Sequence, residues 1–204
     1  MIHSRAKALA AEPVAEPVHF NAPLFRELIE HLDTEKRCVV LDLGVARAQT
    51  VKTFGRFRCR LDVADLIDGL DSLTGVTDPD DLADIAEALM PVPHAEAADA
   101  VLCWDILNYL DRPAISALMS RVVARARPGT LVHALIVYSA THMPERPCHF
   151  LPQQDHSLLD VAVDRQARAA PRYAPVDLTD CMPGCKMERA MLLSNGMQEM
   201  LFRV

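Results

Sequence analysis

The chain has 204 residues, half of them hydrophobic but only 5% aromatic, which suits one domain whose core is filled by aliphatic side chains. Its net charge of −7 argues against a nucleic-acid binder that relies on a broad basic surface, and no apolar run approaches the roughly 20 residues that cross a bilayer. The first residues contain no continuous apolar segment of the kind that directs secretion, so we expect a cytoplasmic protein with no nucleic-acid or membrane partner.

Strands and helices are predicted to alternate after an N-terminal tail. Residues 1–20 are rich in Ala, Glu and Pro and predict a mobile tail, and residues 21–204 predict a single domain. Asp78 and Asp111 are placed to cap helices. The predicted order is a helix from about residue 21, a buried strand at 38–43, a short helix at 47–55, an alternating edge strand at 57–63, a helix after 78, a strand at 98–105, a helix after 111 and a strand at 130–138.

The pattern changes in the last third of the chain. Residues 139–185 are polar and rich in Pro, with a short helical piece expected near 158–169, and an insertion of this length is typical of a lid or a binding loop. Residues 186–193 and 197–204 then predict a hairpin around Asn195-Gly196. The predicted fold class is α/β: a doubly wound, mostly parallel sheet flanked by helices and ending in an antiparallel hairpin.

This order of elements, together with several motifs, resembles the class I S-adenosylmethionine-dependent methyltransferases. The first strand ends in Asp42-Leu43-Gly44, within "VVLDLGVARAQT", where that family has an acid and a glycine-rich loop. Asp62 matches the acid near the end of the second strand, "DAVLCWDILNYL" matches the fourth strand, and Arg127-Pro128-Gly129 precedes the fifth. More narrowly, "FGRFRCRLDVADL" and "LLSNGMQEMLF" resemble a little-characterised bacterial group of predicted methyltransferases. The resemblance implies S-adenosylmethionine as the cofactor and leaves the acceptor, a small molecule or a protein, unknown.

Two departures make the chain a divergent relative of that family. The family's loop is commonly Gly-x-Gly-x-Gly, whereas this one runs from Gly44 to Ala48 with Ala46 at the second position. An alanine forced to positive φ costs about 1 kcal/mol or more. No third strand is evident between Val63 and Ala98, which leaves the second strand at the sheet edge and removes the family's adenine contact. A functional cofactor site therefore requires that this altered turn still leave a hollow large enough for an adenosyl group.

The resemblance implies five candidate cofactor-binding residues: Asp42, Gly44, Ala46, Asp62 and Trp104. Several have structural alternatives. Gly44 fits a plain turn, Asp42 could cap the following helix, and Asp62 could pair with a neighbouring arginine while Asp65 takes its role on the ribose. Arg47 could meet the cofactor's carboxylate, fill the pocket, point to solvent, or face the phosphate of a different nucleotide.

The candidate catalytic residues are Asp105, Asn108 and Tyr109, which follow the fourth strand. In an open α/β sheet, ligands gather beyond the carboxyl ends of the strands, so these residues are expected at the mouth of the pocket. Asp105 could act as a base, and Tyr109 could stack on a ligand or donate a hydrogen bond. Alternatively, Trp104 and Tyr109 pack against the start of the next helix and Asp105 caps it.

No metal site is predicted. Cys181 and Cys185 are separated by three residues with no second pair, and His142, His149 and His156 lie in a segment whose prolines prevent helical alignment. The six cysteines are expected to be reduced structural thiols.

Two functions remain open at this point. One is a methyltransferase whose acceptor is held over residues 104–109 by the segment 139–185. The other is a non-catalytic binding or assembly protein that kept the fold and lost the cofactor. Met197, Met200 and Phe202 of the hairpin could form the edge of a homodimer, or they could pack in the core.

Overall fold

The computed structural model describes residues 16–32 and 35–204, and all structural statements concern those ranges. The helices are α1 (Pro23–His31), α2 (Ala48–Phe54), α3 (Pro79–Leu89), α4 (Arg112–Ala124) and α5 (Pro175–Cys181), with short 3-10 segments at Ile67–Leu73 and Ile106–Tyr109. The strands are β1 (Val18–Phe20), β2 (Cys38–Asp42), β3 (Cys59–Val63), β4 (Ala98–Trp104), β5 (Ala126–Val137), β6 (His142–Pro144), β7 (His149–Pro152), β8 (Leu158–Val161), β9 (Ala167–Ala169), β10 (Lys186–Leu192) and β11 (Met197–Arg203).

A central sheet carries the strands in the order β10-β11-β5-β4-β2-β3. Strands β3, β2, β4 and β5 run parallel, and β11 and β10 add an antiparallel hairpin at one edge. Strand β2 is buried along its whole length, as expected of a continuous apolar run in the middle of a sheet, whereas β3 at the other edge is half-buried throughout. The predicted fold class and the terminal hairpin are confirmed.

No strand lies between β3 and β4, so the predicted absence of a third strand is confirmed for this fully described stretch. The chain instead forms the 3-10 segment and α3, whose start follows the expected capping chemistry. The Asp78 side chain accepts hydrogen bonds from the amides of Asp80 and Asp81 at 2.9 and 3.1 Å. Strand β3 therefore stays at the sheet edge.

Two expectations from local pattern are wrong. Residues 18–20, assigned to the mobile tail, form β1 and pair antiparallel with β8; the rest of that tail, residues 1–15, lies outside the described ranges. The helical piece expected near 158–169 is instead two separate strands, β8 and β9. Strand β8 pairs with both β1 and β7 in a small sheet, and these long-range pairings override the weak local periodicity.

The core occupies both faces of the central sheet because successive side chains of a strand point to opposite sides. Val101 and Cys103 of β4 join an apolar cluster with α3, α4 and α5, and Ala100 and Leu102 join a second cluster with α1 and the small sheet. The start of α1 is fixed by fully buried Glu199 of β11, which accepts hydrogen bonds from the amides of Leu24 and Phe25.

The apolar side chains at the centre of β11 belong to the core. Met200 and Phe202 are fully buried within the chain, and Met197 is half-buried. Met200 and Phe202 thus pack in the core, the alternative that the sequence left open beside a dimer edge. Among the helices in the described ranges, none combines the length and the hydropathy needed to cross a membrane.

Candidate functional site

The loops that follow β2, β3 and β4 meet at one end of the sheet, where an α/β fold places its ligands. The structure brings together most of the predicted residues at this end. Asp42 ends β2 and Trp104 ends β4. Asp105 comes directly after Trp104, and Asn108 and Tyr109 lie in the 3-10 segment that follows.

The Asp42 carboxyl is fully buried and is linked directly to Trp104. Its Oδ1 accepts hydrogen bonds from the Gly44 amide at 2.9 Å and from the Trp104 indole Nε1 at 2.6 Å. Its Oδ2 is buried and has no hydrogen-bond partner. Burial raises the pKa of Asp42 to about 6, against the lowering effect of these two donors. The free oxygen is a hydrogen-bond acceptor in a position where a polar ligand group would stabilise the charged form.

The space beyond Gly44 is filled by the indole of Trp104, so the hollow that the sequence analysis requires is closed in this conformation. A Cβ at position 44 would lie 2.7 Å from Cδ1 of Trp104, which explains the glycine without a ligand. Trp104 itself has φ of 49°, a conformation that costs a bulky residue roughly 1–3 kcal/mol and is typical of functional or strained positions. Ala46 is exposed and does not have positive φ, so the strain considered for that position does not arise.

Residues 144–150, here called the strap, cross this end of the sheet and contact each strand-end loop in turn. The strap's carbonyl of Pro144 accepts a hydrogen bond from the Tyr109 hydroxyl at 3.1 Å, and the Cys148 amide donates to Asp105 Oδ2 at 3.0 Å. The other contacts are the ion pair of Arg146 with Asp68, the hydrogen bond of His149 with Arg47, and the stacking of Phe150 on Trp104 with centroids 5.9 Å apart and an interplanar angle of 12°.

Arg47 fills part of the space above the altered loop. Its guanidinium hydrogen-bonds to the ring of His149 in the strap, so the side chain is turned toward the strap and is only partly exposed. Burial, together with the nearby charges of Arg47 and Arg146, lowers the pKa of His149 to about 4. The imidazole is therefore neutral near pH 7 and can accept a hydrogen bond from the guanidinium.

Asp62 lies apart from the other predicted cofactor residues. Its carboxylate pairs with Arg60 at 3.0 Å and faces a groove formed by the residues that precede and begin β4. Asp65, which follows β3, is exposed and has φ of 50°; its charge contributes to the raised pKa of Asp42. Asp65 is thus nearer than Asp62 to the strand-end site.

The three predicted catalytic residues are buried, and their polar groups differ in availability. Asn108 has none free: its amide donates to the carbonyls of Asp105 and Leu135 at 2.7 and 2.9 Å, and its Oδ1 accepts from the Val137 amide at 2.9 Å. This residue holds the ends of β4 and β5 together. Tyr109 is tied to the strap, and burial raises the pKa of its hydroxyl.

Asp105 is the predicted catalytic residue with a free oxygen. Its side chain accepts one hydrogen bond, from the Cys148 amide, and its buried Oδ1 has no partner. Burial raises the pKa of Asp105 to about 8, so the carboxyl is largely protonated at neutral pH. It can act as a proton acceptor once it ionises.

A cavity of about 210 Å³ opens between Asp105 and the small sheet. Asp160 of β8 and Cys148 of the strap line it, and neither was singled out by the sequence analysis. The signal for Asp160 was present: Leu158 is buried, so the residue two positions later in a strand points to the same inner face. It was missed because this segment was assigned to a helix.

The metal and cysteine predictions concern residues spread along the chain. The parts of the chain that the structure describes contain no group of three His, Cys, Asp or Glu side chains placed to hold a metal ion. All six cysteines are free thiols in this structure.

Comparison with known proteins identifies the fold. No protein-family model matches the chain, and no curated protein is similar to it in sequence. A solved S-adenosylmethionine-dependent methyltransferase from Mesorhizobium loti is 10% identical, with a TM-score of 0.52 over 89% of this chain and 96% of that one. A 1,6-didemethyltoxoflavin-N1-methyltransferase from Burkholderia thailandensis, solved with 1,6-didemethyltoxoflavin and S-adenosylhomocysteine, is 16% identical, with a TM-score of 0.50 over 89% of this chain and 76% of that one. The chain is a divergent protein with the class I S-adenosylmethionine-dependent methyltransferase fold, as its sequence resemblance implied.

Proposed function

We propose that this protein is an S-adenosylmethionine-dependent methyltransferase in a closed form, with the strap lying over the cofactor site. The observation that carries the proposal is the free, buried Oδ2 of Asp42 at the end of β2, next to Gly44. In this fold the acid at the end of the strand that corresponds to β2 belongs to the cofactor site. The Burkholderia methyltransferase of similar fold was solved with S-adenosylhomocysteine. A buried acceptor without a partner is suited to the ammonium group of such a ligand.

The free acceptor of Asp42 suits the cofactor's ammonium group, whereas the space requires a movement. Trp104 and the strap occupy the region beyond Gly44, so the cofactor can enter only when they are displaced. The ion pair that holds the strap to the loop after β3 is weak because Arg146 and Asp68 have exposed side-chain fractions of 52% and 88%. Opening must also break the buried contacts of the strap, among them the Cys148 amide on Asp105 and the stacking of Phe150 on Trp104.

The residues of this chain divide the work as follows. Asp42 would accept hydrogen bonds from the cofactor's ammonium group, and Asp65, whose charge acts on Asp42, would hold the ribose hydroxyls in place of Asp62. Gly44 and Ala46 shape the turn. The cofactor supplies an electrophilic methyl group when bound. Trp104 and the strap exclude water, Tyr109 fixes the strap through Pro144, and Asp105 accepts a proton from an acceptor in the adjacent cavity after it ionises.

A second function, a non-catalytic binding protein of the same fold, is favoured by one specific observation. The indole of Trp104 takes the place next to Gly44 and uses a hydrogen-bond position on Asp42. If this packing is permanent, the protein keeps the fold and the neighbouring cavity but binds no cofactor.

Titration with S-adenosylhomocysteine separates the two functions. Wild type, Arg146→Ala and Asp42→Asn are compared by calorimetry and by the emission of Trp104, which is the single tryptophan and lies in the site. A variant that opens the strap raises the fraction of binding-competent protein, so Arg146→Ala should bind about 2- to 5-fold more tightly. Asp42→Asn should bind at least about tenfold more weakly because the free acceptor is replaced.

The matched control is Arg112→Ala, which removes an exposed ion pair with Asp177 away from the strap and should leave the affinity unchanged. Absence of heat and of any emission change in both wild type and Arg146→Ala, with S-adenosylhomocysteine at millimolar concentration, would reject the methyltransferase and support the non-catalytic protein.

A further inference from the structure

The cavity beside Asp105 has an unusual chemical composition. Its volume is about 210 Å³, and it lies between the ends of β4 and β5, the strap, the small sheet and the tip of the terminal hairpin. Apolar side chains make up much of its wall, among them Met143, Phe150 and Met197. It is therefore a partly enclosed space suited to a small molecule with an apolar body.

The charged groups of this cavity are acidic. Glu16, Asp105 and Asp160 line it, and among the described lining residues there is no Lys or Arg. His142, at the rim, is the lining residue that can carry a positive charge, and it is exposed. The wall thus disfavours an anion and leaves the acids without a cationic partner from the described lining.

Asp105 lines this space and carries an unsatisfied acceptor. The residue is 4% exposed, and its Oδ2 accepts the Cys148 amide while its Oδ1 has no partner. An unpaired buried oxygen is costly, and a ligand with a hydrogen-bond donor would remove that cost. When it is ionised, the carboxyl therefore requires a donor that the described residues do not supply.

Asp160 provides a second acceptor on the opposite wall. It lies on the inner face of β8, between its paired neighbours Val18 of β1 and Phe150 of β7, where the pattern of the strand calls for an apolar residue. Burial raises the pKa of Asp160, against the lowering effect of the neighbouring Cys148 thiol, and the buried Oδ1 of Asp160 has no partner. Two carboxyl groups on different elements, each with one buried oxygen that has no partner, thus line one cavity.

We propose that this cavity binds a small primary or secondary amine, as a cation with an apolar substituent, held between Asp105 and Asp160. An ammonium group donates to both free carboxyl oxygens and neutralises the charge that they acquire on ionisation, while the apolar body contacts Phe150 and the methionines. A bound metal ion is a poorer match, because the described residues contain no three-ligand cluster. If the proposed function holds, this amine is the methyl acceptor, so that role rests on the proposed function. The binding of the amine to the cavity does not depend on it.

The test uses three probes of one shape: benzylamine as the cation, benzyl alcohol as the neutral analogue and benzoate as the anion. Each is titrated into the full-length wild-type protein without cofactor, by calorimetry and by protein-detected NMR. We expect benzylamine to bind at least about tenfold more tightly than benzyl alcohol, and benzoate to show no binding, because charged hydrogen bonds to carboxylates are the strong ones.

Two substitutions locate the site. Asp160→Asn should weaken benzylamine binding by about tenfold without weakening benzyl alcohol binding to the same extent. The matched control is Asp164→Asn, which makes the same change in the same segment at a residue that does not line this cavity. Asp105→Asn gives a second measurement if the first variant is unstable, since its remaining oxygen can still accept the Cys148 amide.

Equal affinity for benzylamine and benzyl alcohol, or an equal effect of Asp160→Asn and Asp164→Asn, would overturn the assignment of an amine site. The outcome is independent of the cofactor. Binding of S-adenosylhomocysteine without binding of benzylamine would reject this site and keep the methyltransferase, and the reverse result would keep the site and reject the methyltransferase.

Discussion

Gly44 is required by a neighbouring side chain of the same protein. A methyl group at this position would lie 2.7 Å from Cδ1 and 3.0 Å from Nε1 of Trp104. The indole cannot move freely, because it donates to Asp42 and stacks on Phe150. At the scale of single residues, Gly44 after β2 and Trp104 at the end of the neighbouring strand β4 therefore form one packed unit.

We predict that Gly44→Ala destabilises the protein by about 1–3 kcal/mol, the usual cost of an overpacked buried site, and shifts the emission of Trp104 to longer wavelength. Urea unfolding monitored by circular dichroism, together with emission spectra of the native state, measures both effects. Ala46→Gly is the control, since position 46 is exposed, and it should change stability by less than about 1 kcal/mol. If the two variants are equally stable and keep the wild-type emission, the packing described for Trp104 is wrong.

At the scale of elements, a single carboxylate joins α1 to the central sheet. Glu199 of β11 accepts hydrogen bonds from the amides of Leu24 and Phe25 at 3.0 and 2.7 Å and from His133 Nε2 of β5 at 2.8 Å. The Glu199 and His133 side chains are both 0% exposed. Because an anion at a helix start satisfies amides that have no partner within the helix, this residue takes the role that a side-chain cap would have in α1.

Glu199→Gln should therefore destabilise the protein by about 2–4 kcal/mol, because the new amide group places a donor against a donor in a site without water. Denaturant unfolding gives the change in the free energy of unfolding. Glu188→Gln makes the same change on the same hairpin, where the pair with Arg203 is partly exposed, and should cost less than about 1 kcal/mol. Similar losses for the two variants would contradict the role assigned to Glu199.

At the scale of the whole molecule, buried carboxyl groups make the stability depend on pH. Burial raises the pKa of Asp105 from 3.8 to about 8 and that of Asp42 to about 6, so the folded state keeps protons that the unfolded state releases. The pKa of His149 is lowered from 6.5 to about 4, which acts in the opposite direction between those values. Above pH 6.5 the contributions of Asp42 and His149 are largely complete, and Asp105 remains.

We predict that the free energy of unfolding falls as pH rises from 6.5 to 8, with a limiting slope of about 1.4 kcal/mol per pH unit for one proton. The sign follows because the folded state binds this proton and the unfolded state does not. In Asp105→Asn the decline over this range should be largely removed. Urea unfolding of both proteins at several pH values is the measurement, and parallel curves for the two proteins would show that another group is responsible.

Local chemistry made much of the scaffold predictable. The apolar run before Gly44, the caps at Asp78 and Asp111 and the Asn195-Gly196 turn each act over a few residues, and the structure confirms the elements that they predict. The mostly parallel sheet, the edge position of β3 and the absence of a third strand also followed, because the alternation of elements and the half-exposed pattern of β3 are properties of the sequence itself.

The candidate site was predictable only in part. Its location at the strand ends followed from the order of elements, and Asp42, Gly44, Trp104, Asp105 and Tyr109 do lie together there. The roles of Asp160, Cys148 and the strap were missed. Each acts through a partner on an element far along the chain, such as the Cys148 amide on Asp105, and nothing in the local sequence encodes that pairing.

The sequence by itself determined the scaffold: the main strands and helices of the central sheet, the strand at its edge, and the end of the sheet that carries the polar loops. These depend on hydrophobic periodicity, capping and turn chemistry, which operate between near neighbours. Only the tertiary structure decided that Trp104 covers Gly44, that the strap closes the strand ends, and that Asp105 and Asp160 face one cavity. Those outcomes depend on how distant segments compete for the same space, and packing of that kind is settled only when the whole chain is folded.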